Sequence, residues 1–171
     1  MSGSGDGRLI GFHLGDAGAA LPLGIVRQVT ERPRVVRVPG THAFVSGVAL
    51  HDGVALPVYH LGRLAALWSD PDRAGAVRMD ADRLIVCDWG ETGIGLLGGR
   101  VDLVEGEDGT PDAGEEDERS GLSGAFVKRF LRVRGETIAL LDTERLFASL
   151  GLPAAGPGGR RETGEDDPAG G

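Results

Sequence analysis

The chain is predicted to be an all-β domain, and three features of the sequence predict it. Short stretches rich in Val, Ile and Leu alternate with glycine-containing breaks. The breaks recur roughly every eight to twelve residues, the rhythm of a barrel or sandwich rather than of βαβ units. Several breaks are dipeptides suited to tight turns, namely Asp52-Gly53, Gly90-Glu91 and Arg134-Gly135. At Asp52-Gly53 both residues tolerate positive φ, so a two-residue type I′ hairpin is favoured.

Taken in order, the expected strands are Arg8–Leu14, Ala19–Thr30, Val35–Val38, Ala43–His51, Val54–Tyr59, Arg83–Trp89, Thr92–Leu97, Arg100–Val104, Phe126–Arg134 and Thr137–Leu141. Two segments have helical spacing. Leu61, Leu64, Ala65 and Trp68 recur on one face and stop at Ser69-Asp70-Pro71. A last helix over 142–150 starts at Asp142, a good N-cap, places Leu146, Phe147 and Leu150 together, and ends at Gly151 with Pro153 beyond. No fixed-period repeat is present.

The flanks differ in composition. Residues 1–7 and 152–171 are rich in Gly, Ser, Pro and acids, too poor in apolar groups to offset the entropy of ordering, and are expected to be disordered. Residues 105–120 are dense in Glu, Asp and Gly and read as a solvated acidic loop. The 171-residue length suits one domain with a substantial core, and the net charge of −8 argues against coating nucleic-acid phosphates. The single cysteine, Cys87, allows no intramolecular disulfide. No apolar run reaches the roughly 20 residues of a membrane-spanning helix, and the N-terminus lacks signal-peptide character, so no direct membrane insertion and a cytoplasmic location are expected.

Motifs that could carry chemistry are few. Gly93-Ile94-Gly95-Leu96-Leu97-Gly98 matches G-x-G-x-x-G but continues into Gly99-Arg100-Val101-Asp102-Leu103-Val104, which is too short and β-branched for the helix that must face a pyrophosphate. A glycine-rich hairpin lying close to another backbone explains it better. His13, His42, His51 and His60 have no metal-ligand spacing, and Cys87 reads as a buried small apolar residue. No catalytic, cofactor-binding or metal-ligating set is therefore assigned. A small β-barrel enzyme would rest only on the Gly93–Gly98 motif and scattered histidines.

The series of segments resembles the CheW-like domain. Ile10-Gly11-Phe12-His13-Leu14-Gly15 is similar to that family's opening "F-x-L-G" strand, and Leu21-Pro22-Leu23 with Val26 and Val29 to its "L-P-L…V-x-x-V" segment. Arg37-Val38-Pro39, then Phe44-Val45-Ser46-Gly47-Val48 and Gly53–Leu61, resembles its "R-V-P…F-x-x-G-V-x-N-L-R-G-x-x-x-P-x-x-D-L" stretch. Gly93–Leu97 with Val101–Val104 resembles its "V-G-L-x-V-D-x-V" hairpin, and Leu140-Leu141-Asp142 with Leu146-Phe147 its closing strand and helix.

The resemblance implies a domain over 8–151 with two SH3-like five-stranded barrel lobes, one spanning about 8–68 and the other about 82–141, packed across a shared core. It also implies a non-catalytic adaptor, without cofactors, that links the cytoplasmic tip of chemoreceptors to the regulatory domain of a CheA-type histidine kinase. The partner-binding residues carried over by position are Val38, Pro39, Gly47, Val48, Leu50, His51, Asp52 and Gly53. For Gly47 and Gly53 a purely structural role is the alternative. The chain departs from the pattern: Leu50-His51-Asp52-Gly53 replaces Asn-Leu-Arg-Gly, so the Asn is gone and an acid stands where the family has Arg, and His60 replaces the Asp of "D-L". These departures open a second reading, a divergent regulator or decoy that binds only one partner.

Overall fold

The computed structural model describes residues 7–15, 17–69, 81–105, 110–111 and 126–152. The expected disorder of 1–7 and 152–171 and the acidic loop at 105–120 lie almost wholly outside these residues. Among them the chain forms strands β1 (Arg8–Leu14), β2 (Ala17–Pro22), β3 (Val26–Glu31), β4 (Val35–Val36), β5 (Val45–His51) and β6 (Val54–His60). Helix α1 (Leu61–Ser69) follows, then β7 (Arg83–Trp89), β8 (Thr92–Glu105), β9 (Thr110–Pro111), β10 (Val127–Val133), β11 (Glu136–Leu141) and helix α2 (Thr143–Ser149).

Strand pairing assembles two barrels. In lobe A, β8 pairs with β1, β1 with β2, β2 in parallel with β11, β11 with β10, and β10 with β9. In lobe B the order is β4, β5, β6, β8, β7, β3, with β6 parallel to β8. The lobes are thus interleaved in the chain, which corrects the expected succession of 8–68 and 82–141. β1 and β2 join the C-terminal strands in lobe A. β3 to β7 make lobe B. The cause is β8, one 14-residue strand where two were expected. Its first half, up to Gly98, pairs in lobe B, and its second half, from Gly99, pairs in lobe A. Gly98-Gly99 does not turn the chain. A bulge does the work instead, since Phe12 pairs with Val101 and His13 with Gly99, leaving Arg100 as an extra residue at φ +34°. A bulge bends its strand and lets it pass from one sheet into another.

One other expected strand is divided. Ala19–Thr30 breaks at a single 3-10 turn, Leu23–Ile25, that hands the chain from lobe A to lobe B. The hairpin expectations hold at three places. His51 pairs with Val54, Trp89 with Thr92 and Val133 with Glu136, and each pair encloses two residues. Asp52 and Gly53 both have positive φ, as do Arg134 and Gly135.

The burial pattern explains why the strands read as near-continuous apolar runs. Each barrel has its own interior, Leu9, Val104, Leu131 and Ile138 among others in lobe A, and Leu56, Val58, Leu84 and Val86 in lobe B. A third, larger cluster lies between the lobes, with Phe12, Leu21, Ile85, Trp89, Ile94 and Leu96 facing Leu64 of α1 and Leu146 and Phe147 of α2. In β7, Leu84 and Val86 point into lobe B while Ile85, Cys87 and Trp89 point into the shared core. A strand buried on both faces loses the apolar–polar alternation of a half-exposed one.

Candidate docking surface

The surface begins with Gly47. A Cβ there would lie 2.0 Å from the Val36 carbonyl oxygen, and its φ of +136° disfavours any L side chain. Glycine at this position lets β4 lie against β5, where Val35 pairs with Ala49 and Val36 with Val48. From there the pleat sorts the side chains. Ala49, Leu56 and Val58 fill the interior of lobe B. The register sets Val36, Val48 and Pro57 side by side on the opposite face, with Leu50 beside Ala55.

That outer face is apolar and uncovered. The large hydrophobic residues left exposed, among those described, are Val36 (61%), Val38 (42%), Leu50 (71%), Val54 (60%) and Leu103 (52%). The first four lie in or beside β4–β6, Val36 and Leu50 on the outer pleat and Val54 at the hairpin tip, paired with His51 on the other. Isolated exposed apolar residues need no explanation, whereas a concentration of them makes this region the candidate docking surface.

The residues carried over by resemblance divide on this geometry. Val38, Pro39, Leu50, Asp52 and Gly53 are exposed, and Val48 is half-buried. Gly47 is buried beneath Val36, so its role is to seat β4. Gly53 occupies the turn at φ +78° with open space around it. His51 leans inward. Its Nε2 lies 3.0 Å from Gln28 Oε1 on β3 and 3.4 Å from Asp52 Oδ2, tying the hairpin tip to the far side of lobe B. Near this tip Arg27 on β3 donates through Nε and a terminal nitrogen to the two carboxylate oxygens of Asp88 on β7. The Asp52 carboxylate faces solvent at the tip, its side chain 82% exposed. Val36 and Val54 were not among the sequence-derived residues. The available signal was that β5 is apolar at both alternating sets, Gly47 with Ala49 and Val48 with Leu50.

His60 ends β6 and is buried. Its Nδ1 accepts a hydrogen bond from the Arg63 backbone N–H at 3.3 Å, the bond an N-cap side chain makes at the start of a helix. Burial, with the nearby Arg63 and Arg32 cations, pushes its pKa down to about 4, keeping the imidazole neutral and able to accept. His60 thus performs in α1 the capping that the carboxylate of the family pattern suits, without charge. His42 stacks on Phe44 with ring centroids 5.2 Å apart. Cys87 is fully buried, and burial pushes its thiol up to about 12, as befits a packing residue. The Gly93–Gly98 motif lies wholly within β8. Its glycines make room for side chains rather than for another backbone: a Cβ at Gly95 would meet Leu84 Cδ1 at 2.7 Å, and one at Gly93 would meet Leu56 Cδ2 at 3.0 Å.

Two interleaved barrels sharing a core, with an apolar outer hairpin, define a protein-interaction module of the two-lobed SH3-like type. The model of the CheW-like domain matches residues 8–151, and the chain belongs to that family. Fifteen chains of known structure match. One is the crystal structure of the scaffolding protein TtCheW from Thermoanaerobacter tengcongensis, at 17% sequence identity and a TM-score of 0.60, covering 79% of this chain and 88% of that one. At this identity the likeness speaks for the fold. No curated protein sequence matches the chain. Among the described residues no helix is long and apolar enough to cross a membrane.

Proposed function

We propose that the chain is a non-catalytic adaptor of chemotaxis-like signalling. It acts in the cytoplasm and joins the regulatory domain of a CheA-type histidine kinase to chemoreceptor tips. The observation that carries this reading is the uncovered apolar face made by Val36, Val38, Val48 and Leu50 on a barrel of this family. An adaptor needs only contact surface, and such a face supplies the desolvated centre of an interface. The kinase's regulatory domain is the partner assigned to it.

Asp52 favours a second reading, a regulator that binds the kinase domain but not the receptor. An exposed carboxylate repels the acidic groups that an Arg at the same place would attract.

Calorimetry at physiological salt tests both. The adaptor reading expects micromolar or tighter binding to the regulatory domain, weakened tenfold or more by Leu50→Ser while the melting temperature stays unchanged. Undetectable binding of the wild-type chain would sink it. Asp52→Arg is expected to strengthen receptor-tip binding if the carboxylate is what excludes that partner, and an unchanged affinity removes the one-partner reading.

A further inference from the structure

Lobe A holds a feature that the docking surface on lobe B does not use. At one end of its barrel a cavity of about 400 Å³ opens to solvent. Gly11 on β1 and Gly18 on β2 line it, with Val104 and Ile138 packed closely over them. Val104, Val133 and Ile138 make the apolar floor. Its volume falls within the range of small-molecule sites, and its lining mixes polar and apolar groups.

The rim carries two cations, Arg100 and Arg134, and two anions, Asp102 and Glu136, with His13 beside them. Among the described residues these four charges form no ion pair with one another or with any other group. Both arginines stand on left-handed backbone, at φ +34° and +50°. Arg134 occupies the first turn position of the β10–β11 hairpin, where Asn, Asp or Gly is preferred. Long side chains held at strained positions mark functional sites more often than chance placement does. Here the two strained residues on the lobe line the same cavity.

We propose that this cavity binds a small zwitterion with an aliphatic body, a free apolar amino acid or a short apolar peptide with both ends free. Its carboxylate pairs with Arg100 and Arg134, its ammonium group with Asp102 and Glu136, and its side chains cover the Val104–Val133–Ile138 floor. A ligand with no net charge and separated ends matches a rim that has no formal net charge but whose charges are unpaired.

The probe is the dipeptide Leu-Leu, with its N-acetyl and C-amide forms, titrated into the full-length chain and followed by amide chemical shifts. Saturable shifts at Gly11, Gly18, Asp102 and Gly135 are expected, with Kd below about 1 mM. Blocking either end is expected to weaken binding tenfold or more. Free leucine measured beside the dipeptide shows whether an amino acid suffices.

The double variant Arg100→Gly with Arg134→Gly removes both guanidiniums while placing the residue best suited to positive φ at each site. It should lose at least tenfold in affinity with a melting temperature equal to or above the parent's. Should that variant fail to melt cooperatively, Asp102→Asn with Glu136→Gln removes the cation-binding half on ordinary backbone and must show the same loss. Absence of saturable shifts, shifts confined to other surfaces, binding indifferent to end-blocking, or full affinity in the variants would each overturn the proposal.

Discussion

In lobe B the glycines of β8 lie beneath large side chains, Leu84 and Val58 over Gly95 and Leu56 over Gly93. In lobe A the covering groups are a Val104 methyl 2.9 Å from where a Cβ of Gly11 would sit and Ile138 Cγ1 3.2 Å from that of Gly18, and a cavity opens above them. The glycines serve the same end in both lobes, admitting a bulky side chain from a neighbouring strand. What differs is the covering residue, Leu in lobe B and the smaller Val or Ile in lobe A, where a cavity lies beside them. Lobe B presents an apolar outer face, while lobe A carries an open cavity with a charged rim.

The comparison can be broken most sharply at Gly47. A Cβ would overlap the Val36 carbonyl, so Gly47→Ala is expected to cost about 4 kcal/mol in a urea melt and to release β4 from β5. A cost below about 1 kcal/mol would show that β4 is not seated as described. Leu84→Ala removes the plug over Gly95 and should cost about 3 kcal/mol through the void it leaves. If lobe B tolerated this truncation as a rim substitution is tolerated, its interior would be no better filled than that of lobe A.

His60 gives an effect of intermediate size. Its pKa is held at about 4 in the folded chain against an ordinary 6.5, so the unfolded chain binds the proton more readily. The neutral-imidazole contribution is therefore complete above pH 6.5 and lost as pH falls from 6.5 through 4. That loss should be roughly 3 kcal/mol, read from urea midpoints across this range. His60→Asn keeps a capping acceptor without a titrating group and should flatten that part of the profile. A profile unchanged by the substitution would assign the slope to carboxylates instead.

The smallest expected effect falls in lobe A. Gly18→Ala meets only a side-chain carbon at 3.2 Å, on backbone of ordinary φ, and should change stability by no more than about 1 kcal/mol. A loss comparable to that of Gly47→Ala would mean that the mouth of lobe A is as tightly packed as the interior of lobe B.

Much of the local structure was legible in the residues. β1 and β7 have the expected bounds, Arg8–Leu14 and Arg83–Trp89. Asp142 caps α2, its Oδ1 accepting from the Arg145 N–H at 3.2 Å, and Gly151 closes that helix at φ +78°. Asp52-Gly53 turns as its φ tolerance implies. Of the residues carried over by resemblance, Val38 and Leu50 are exposed, whereas Gly47 is buried under Val36 and His51 is turned toward Gln28. Val36 passed unnoticed because two adjacent valines do not reveal which one faces outward.

By itself the sequence determined what neighbouring residues decide among themselves: the all-β character, the two-residue hairpins, the helix cap, and the family. Tertiary structure alone decided which strands pair, that β8 serves both barrels through its bulge at Arg100, and that the lobes are interleaved. It also decided which apolar residues face outward and where an unfilled cavity remains. The physical reason is that backbone conformation and capping are local energies, whereas pairing, burial and void volume depend on partners such as β1 and β8, which are distant in the chain and meet only when the whole core closes.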